Sequence, residues 1–78
     1  MKLEILTPEK KLFTGEVYSV QVPGSSGKFQ MLSKHAPIVS SIKKGVVKII
    51  DNQKKEILID VDSGVIEMKN NKIIILAE

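Results

Sequence analysis

His35 is the one histidine of this sequence, and therefore the one side chain whose ordinary proton affinity suits acid–base work near neutral pH. It has little to work with. The chain holds no cysteine, so thiolate nucleophiles, disulfides and thiolate metal sites are all excluded. Ser33, Ser40, Ser41 and Ser63 offer hydroxyls, yet none sits in a G-x-S-x-G elbow and no acid lies near His35 in sequence to orient it. Asp60 and Asp62 are two apart and would share a strand face, with Asp51 a further candidate if the strand register allowed it. That D-x-D pair beside a glycine lacks the spacing and distal glutamate of a calcium loop, and reads as carboxylates flanking a turn. Gly24-Ser25-Ser26-Gly27-Lys28 offers glycines and a lysine, but Phe29 and an apolar run follow where a phosphate loop needs a hydroxyl and a helix. The expectation is that no catalytic, cofactor-binding or metal-ligating residues are present.

Charge narrows the field further. Net charge is +3, and all 12 basic residues are lysines. Arginine, the side chain best shaped for bidentate contact with phosphate and guanine, is absent, which argues against nucleic acid as a partner. The lysine pairs Lys10–Lys11, Lys43–Lys44 and Lys54–Lys55 fall at separate turns, with Glu9, Asp51 and Glu56 close to them in sequence, so solvated turn charge is expected in place of a binding stripe. Phe13, Tyr18 and Phe29 are too few for a single-strand stacking surface and are expected in or beside the core.

The elements carrying these residues repeat every two positions. Leu3 and Ile5 alternate with Lys2 and Glu4; Tyr18, Val20 and Val22 are expected on one face; Ile57, Ile59 and Val61 alternate with Glu56, Leu58 and Asp60. Val46–Ile50 and Ile73–Leu76 are nearly apolar throughout and read as strands buried on both faces. Gly15 is expected to end a first short strand, with the next opening at Glu16. Pro23–Gly27, Lys44-Gly45, Asp51-Asn52 and Asp62–Gly64 mark turns, and Asn70-Asn71 suits a two-residue hairpin loop because asparagine tolerates positive φ. Ile38, Val39, Ile42 and Val46 would also fit a helix opened by Pro37, but Ser40-Ser41 and Gly45 are poor helix interiors and favour an extended segment.

Apolar residues are 42% of the chain and mean hydropathy is +0.04, enough for a packed core in one small domain spanning residues 1–78, although a chain this short buries only about 60% of its unfolded surface. The longest apolar run, Ile73 to Ala77, is far below the roughly 20 residues of a membrane-spanning helix, and the N-terminus carries no signal-peptide pattern. A cytoplasmic chain touching membrane only through partners is expected. The fold class is all-β: short strands at this spacing suggest a sandwich or small barrel, and a small β-sandwich is favoured.

Two stretches, residues 3–24 and 27–50, resemble the N-terminal domain of the epsilon subunit of F-type ATP synthases (delta in mitochondria). The resemblance is carried by Thr7-Pro8-Glu9, Phe13 and Gly15; by Val22-Pro23-Gly24; by Gly27, Leu32 and His35-Ala36-Pro37; and by Lys43, Gly45 and Val46. Ser63–Glu67 and the closing Ile75–Glu78 fall where the family has its glycine-rich turn and last strand. Departures are Gln30, Ser33 and Lys34, where the family commonly has glycine, proline and glycine, together with Lys28 at an often acidic position and Ser63 in place of a second glycine.

The resemblance implies a small flattened two-sheet β-sandwich of mostly antiparallel short strands and a mechanical role. It implies a non-catalytic rotor subunit without cofactor, gripping the gamma subunit and resting on the ring of membrane c subunits at the cytoplasmic face of a bacterial inner membrane. The Gly27–Ile38 segment, with Lys28, Ser33, Lys34 and His35, is expected to face the ring, and gamma to meet an exposed apolar edge or face. Typical members continue into a C-terminal helical hairpin that can restrain hydrolysis; this sequence stops where it would begin, so neither inhibition nor nucleotide binding is expected of these residues. An unpartnered gamma-binding surface would favour self-association of the free domain. Two other readings stay open: a small basic OB-like nucleic-acid binder, and a ligand-binding sandwich for a sugar or metal.

Overall fold

The computed structural model describes residues 1–78 and contains eight strands and no helix. They are β1 (Lys2–Leu6), β2 (Lys11–Gly24), β3 (Gly27–Leu32), β4 (Ile38–Ile42), β5 (Gly45–Asp51), β6 (Glu56–Val61), β7 (Gly64–Lys69) and β8 (Lys72–Ala77). All are linked in one hydrogen-bonded path, β1-β8-β7-β4-β2-β5-β6, with β3 added beside β2 and β1 also pairing β2.

The path folds into two layers because β2 belongs to both. Its first half pairs β1, from Glu16 opposite Lys2 to Lys11 opposite Leu6. Its second half lies between β3 and β5, so that Ser19 faces Leu32 on one side and Ile50 on the other. One layer is thus β1, β8, β7 and β4 with the start of β2, and the other is β3, the end of β2, β5 and β6. A single bridge, Gly24 opposite Ile42, closes the layers at the far end of β2. Every pairing is antiparallel except β1 with β8.

Between the layers lies one cluster of 15 buried apolar residues, to which every strand contributes. Leu3, Ile5, Ile66, Ile73 and Ile75 meet Val20, Val22, Met31, Val47 and Ile49, all fully buried. Side chains alternate across a strand, and Leu3/Ile5 and Ile57/Ile59/Val61 point inward as their spacing predicts. The segment with the helical alternative is extended, as β4. Asn70 and Asn71 take φ of 53° and 61°, the two successive positive values of a type I′ hairpin.

Four expectations are corrected. Gly15 lies within the 14-residue β2 and ends nothing; the first reversal is at Thr7–Lys10, where the Lys10 amide donates to Thr7 Oγ1 at 3.1 Å and the Thr7 amide to the Lys10 carbonyl at 2.8 Å. Tyr18 does not share a face with Val20 and Val22: it is 57% exposed. The cause is a β-bulge, since Val17 faces Asp51 while Ser19 faces Ile50; the extra residue shifts the in–out phase of everything after it. Tyr18 is therefore no core aromatic, whereas Phe13 and Phe29 do pack on the core. Finally, β5 and β8 are buried on one face only: Val46 and Leu76 are exposed beside buried Val47 and Ile75.

Candidate functional site: two poles and two outer faces

The turns gather at two ends of the sandwich. At one end lie Thr7–Lys10, the β2–β3 hairpin, Lys43-Lys44 and Ser63; at the other lie Ser33–Pro37, Asp51–Lys55 and Asn70-Asn71. The four residues expected to act together divide between these ends. Lys28 opens β3 opposite Pro23. Ser33, Lys34 and His35 follow β3, and five residues of extended strand separate the two groups by roughly 16 Å. Ser33, Lys34 and His35 form one compact turn. Lys34 holds φ 66°, its amide donates to Asn71 Oδ1 at 2.8 Å, and the Ser33 hydroxyl donates to the same oxygen at 3.4 Å.

His35 is exposed. Its backbone amide donates to the Leu32 carbonyl at 3.1 Å, and its Nδ1 lies 2.7 Å from the Ala36 carbonyl oxygen. A carbonyl only accepts, so Nδ1 carries the hydrogen and Nε2 is left to face solvent. The histidine is a turn residue with one free nitrogen.

The remaining candidates lie in turns or within strands and do not come together. Asp51 Oδ1 accepts from the amides of Gln53 and Lys55, both at 2.8 Å, closing the β5–β6 turn. Asp60 stands opposite Val46, at the other end of that hairpin, so Asp51 and Asp60 are not neighbours. The Gly24–Lys28 segment is a tight hairpin whose Ser25 hydroxyl meets that of Ser41 at 2.7 Å. No group of three or more His, Asp or Glu is placed to hold a metal ion.

The outer faces are sharply different. On the β1-β8-β7-β4 layer, register aligns Leu6, Leu76, Val65 and Ser41 in one row and Glu4, Ile74, Glu67 and Val39 in the next. Leu76 is 51% exposed and Val65 47%, and with Leu6 and Pro8 they line a shallow groove of about 680 Å³. The next row carries charge, with Glu67 exposed on β7 and Glu4 on β1. Glu4 meets Lys72 at 3.2 Å and Lys11 at 3.8 Å, and the hydrogen bond from Lys72, followed by the fields of Lys72, Lys11 and Lys2, holds its carboxyl below the ordinary value of 4.5 against an opposing desolvation.

The opposite face corrects the expectation that the lysines do not cluster. Lys28, Lys43, Lys44 and Lys48, spread over 21 positions of sequence, line one depression of about 530 Å³ on the β3-β2-β5-β6 layer. Sequence reasoning missed this group because only cross-strand register brings it together.

The fold is a strand-only sandwich with an apolar row on one outer face and a group of lysines on the other. The model of the ATP synthase delta/epsilon chain β-sandwich domain matches residues 1–78. The chain is 42% identical over 77 residues to an ATP synthase epsilon chain of Chlorobium limicola, covering 99% of this chain and 88% of that one. It is 41% identical over 78 residues to the epsilon chain of Leptospira interrogans serovar copenhageni, of which it spans 61%. Among solved structures, a chain of the Euglena gracilis mitochondrial ATP synthase (OSCP/F1/c-ring) superposes with a TM-score of 0.90 at 14% identity, over 96% of this chain and 48% of that one. A chain of the Tetrahymena thermophila mitochondrial ATP synthase (central stalk/c-ring) gives 0.77 at 15%, over 99% and 62%. The chain belongs to the ATP synthase delta/epsilon chain family and spans its β-sandwich domain.

Proposed function

We propose that this chain is a non-catalytic part of an ATP synthase rotor, held between a gamma subunit and the membrane ring of c subunits at the cytoplasmic face of a bacterial inner membrane. The observation that carries the reading is the apolar row Leu6–Leu76–Val65, which stands outside the buried core cluster, with Leu76 and Val65 about half open to water. A patch of that kind on a small protein marks a partner surface. Gamma is the partner assigned to it. The ring is assigned to the Gly27–Ile38 segment: β3 pairs only β2, so its other edge is free, and Lys28 at one end and Ser33, Lys34 and His35 at the other project from the same border of the sandwich. Both surfaces are built on a close-packed core, which transmits strain with little give, as a coupling piece requires.

The experiment is co-purification with cognate gamma and ring. Wild-type chain is expected to carry both. Leu76→Glu is expected to lose gamma while remaining folded, and the paired Lys34→Ala and His35→Ala substitution to weaken ring association in native gels. A chain that ignores gamma and ring alike, or turns over a substrate unaided, overturns the reading.

A further inference from the structure

The second layer ends in two unpaired strands. Its order is β3-β2-β5-β6, and neither β3 nor β6 has a second neighbour. Along an antiparallel ladder, residues bonded to the neighbouring strand alternate with residues whose amide and carbonyl point away from it. The Asp51 amide donates to the Lys55 carbonyl at 3.0 Å, so Ile57 and Ile59 bond to β5 while the backbones of Glu56, Leu58 and Asp60 turn outward. On the other edge, Pro23 has no amide and its carbonyl accepts from the Lys43 amide at 2.9 Å. Lys28, opposite Pro23, therefore faces outward, as do Gln30 and Leu32; of these groups only the Leu32 carbonyl is occupied, by the His35 amide. Sheet edges are commonly blunted by proline, a bulge or an inward-pointing charge. β3 and β6 carry none of these, and Phe29, Ile57 and Ile59 on their inner sides are only partly buried. The exposed charges they do carry are opposite in sign, Lys28 on β3 against Glu56 and Asp60 on β6, and none of the three takes part in an ion pair within the chain.

From this arrangement we infer that the free chain pairs β6 with β3 of a second copy, so that the second layer continues from molecule to molecule. Within one molecule β3 and β6 run in opposite directions, and a copy in the same orientation therefore meets β6 antiparallel. Full overlap of the two six-residue strands sets Lys28 of one copy against Asp60 of the next, Gln30 against Leu58 and Leu32 against Glu56. On the inner side it sets Phe29 against Ile59 and Met31 against Ile57, which completes the burial of the three partly open side chains. Main-chain bonds hold such an added strand, and the opposed charges and apolar pairs fix its register. The other pairings of these edges are poorer. β6 against β6 would oppose Glu56 to Asp60, like to like, and β3 against β3 would leave Lys28 without a carboxylate. Because the two edges differ, the contact is head-to-tail and does not close at two copies. The inference stands apart from the rotor reading, since it concerns the chain free of other subunits.

The test is sedimentation of the purified chain over a range of concentrations, with amide spectra of the same samples. Mass is expected to rise with concentration, and amide shifts to follow it at Lys28, Gln30, Leu58 and Asp60. K28D and D60K should each weaken association on the order of two- to tenfold, the reach of one reversed cross-strand charge. Mixing the two variants should restore it, because each keeps the residue that the other has lost. Leu58→Pro removes an outward amide that β5 does not use, and should abolish association while the spectrum of the folded chain persists. A chain that stays monomeric at every concentration overturns the inference. So does association that K28D and D60K leave unchanged, that their mixture does not restore, or that a folded Leu58→Pro chain retains. Association abolished by Leu76→Glu also overturns it, by placing the contact on the apolar row of the other layer.

Discussion

The backbone amide of Lys34 donates to the Asn71 side-chain oxygen at 2.8 Å across 37 positions of sequence. This bond clasps the loop after β3 to the β7–β8 hairpin, and so ties a segment of one layer to a turn of the other. Asn71 has two tasks: its backbone sits at φ 61° and its side chain holds Lys34.

The two tasks separate by substitution. Asn71→Ala is expected to lose both, at about 1–2 kcal/mol for the left-handed backbone plus the lost hydrogen bond. Asn71→Gly keeps the turn and loses the clasp alone. Urea unfolding should rank wild type, then glycine, then alanine, while amide exchange at Lys34 should speed up equally in both variants.

Glycines differ in what surrounds them. A Cβ at Gly64 would overlap the Leu76 carbonyl oxygen and lie 3.1 Å from Ala77 Cα. Gly64→Ala therefore should destabilise by roughly 1–3 kcal/mol as overpacking against backbone. At Gly15 the nearest atoms are the Phe13 ring at 3.6 Å, so Gly15→Ala should lie within about 0.5 kcal/mol of wild type. Thermal melts of the two variants check the contrast.

Adjacent residues of β8 should behave oppositely. Ile75 is fully buried, and Ile75→Ala is expected to cost about 2–5 kcal/mol, enough to populate unfolded chain in a domain this small. Leu76→Ala should leave the melting temperature nearly unchanged and lower gamma binding. Calorimetry and pull-down together read the pair.

Glu4 makes a pH prediction with a definite sign. Its folded carboxyl titrates below 4.5, chiefly through the Lys72 hydrogen bond, so its contribution is present above the unfolded value and is lost as pH falls through the folded one. Acid unfolding of Glu4→Gln should show a shallower loss of stability below pH 4.5 than wild type, and about 500 mM salt should narrow the difference, because the Lys72 and Lys11 partners are half exposed.

What could be read in advance was local. Alternation in Leu3/Ile5 and Ile57/Ile59/Val61, the Asn70-Asn71 turn and the extended β4 all depend on neighbours in sequence, and so did the motifs that resemble the ATP synthase epsilon subunit. The misreadings arose where pairing decided. One extra residue between Val17 and Ser19 turned Tyr18 outward, and Leu76 and Val46 face water because no third layer covers them. Lys28 and Lys34 fall in one segment by the family resemblance, and the six-residue β3 between them sets the two at opposite ends of a single edge strand. The lysine depression was invisible for the same reason, since Pro23 and Gln21 gather its members from β3, β5 and the turn before β5.

β2 runs as one continuous strand from Lys11 to Gly24 through both layers. It acts as a splint. The layers cannot slide past each other without breaking its ladders to β1 and β5 at once, so slow amide exchange along β2 should be lost in a single step, and a push on one outer face should arrive at the other as displacement of the whole body.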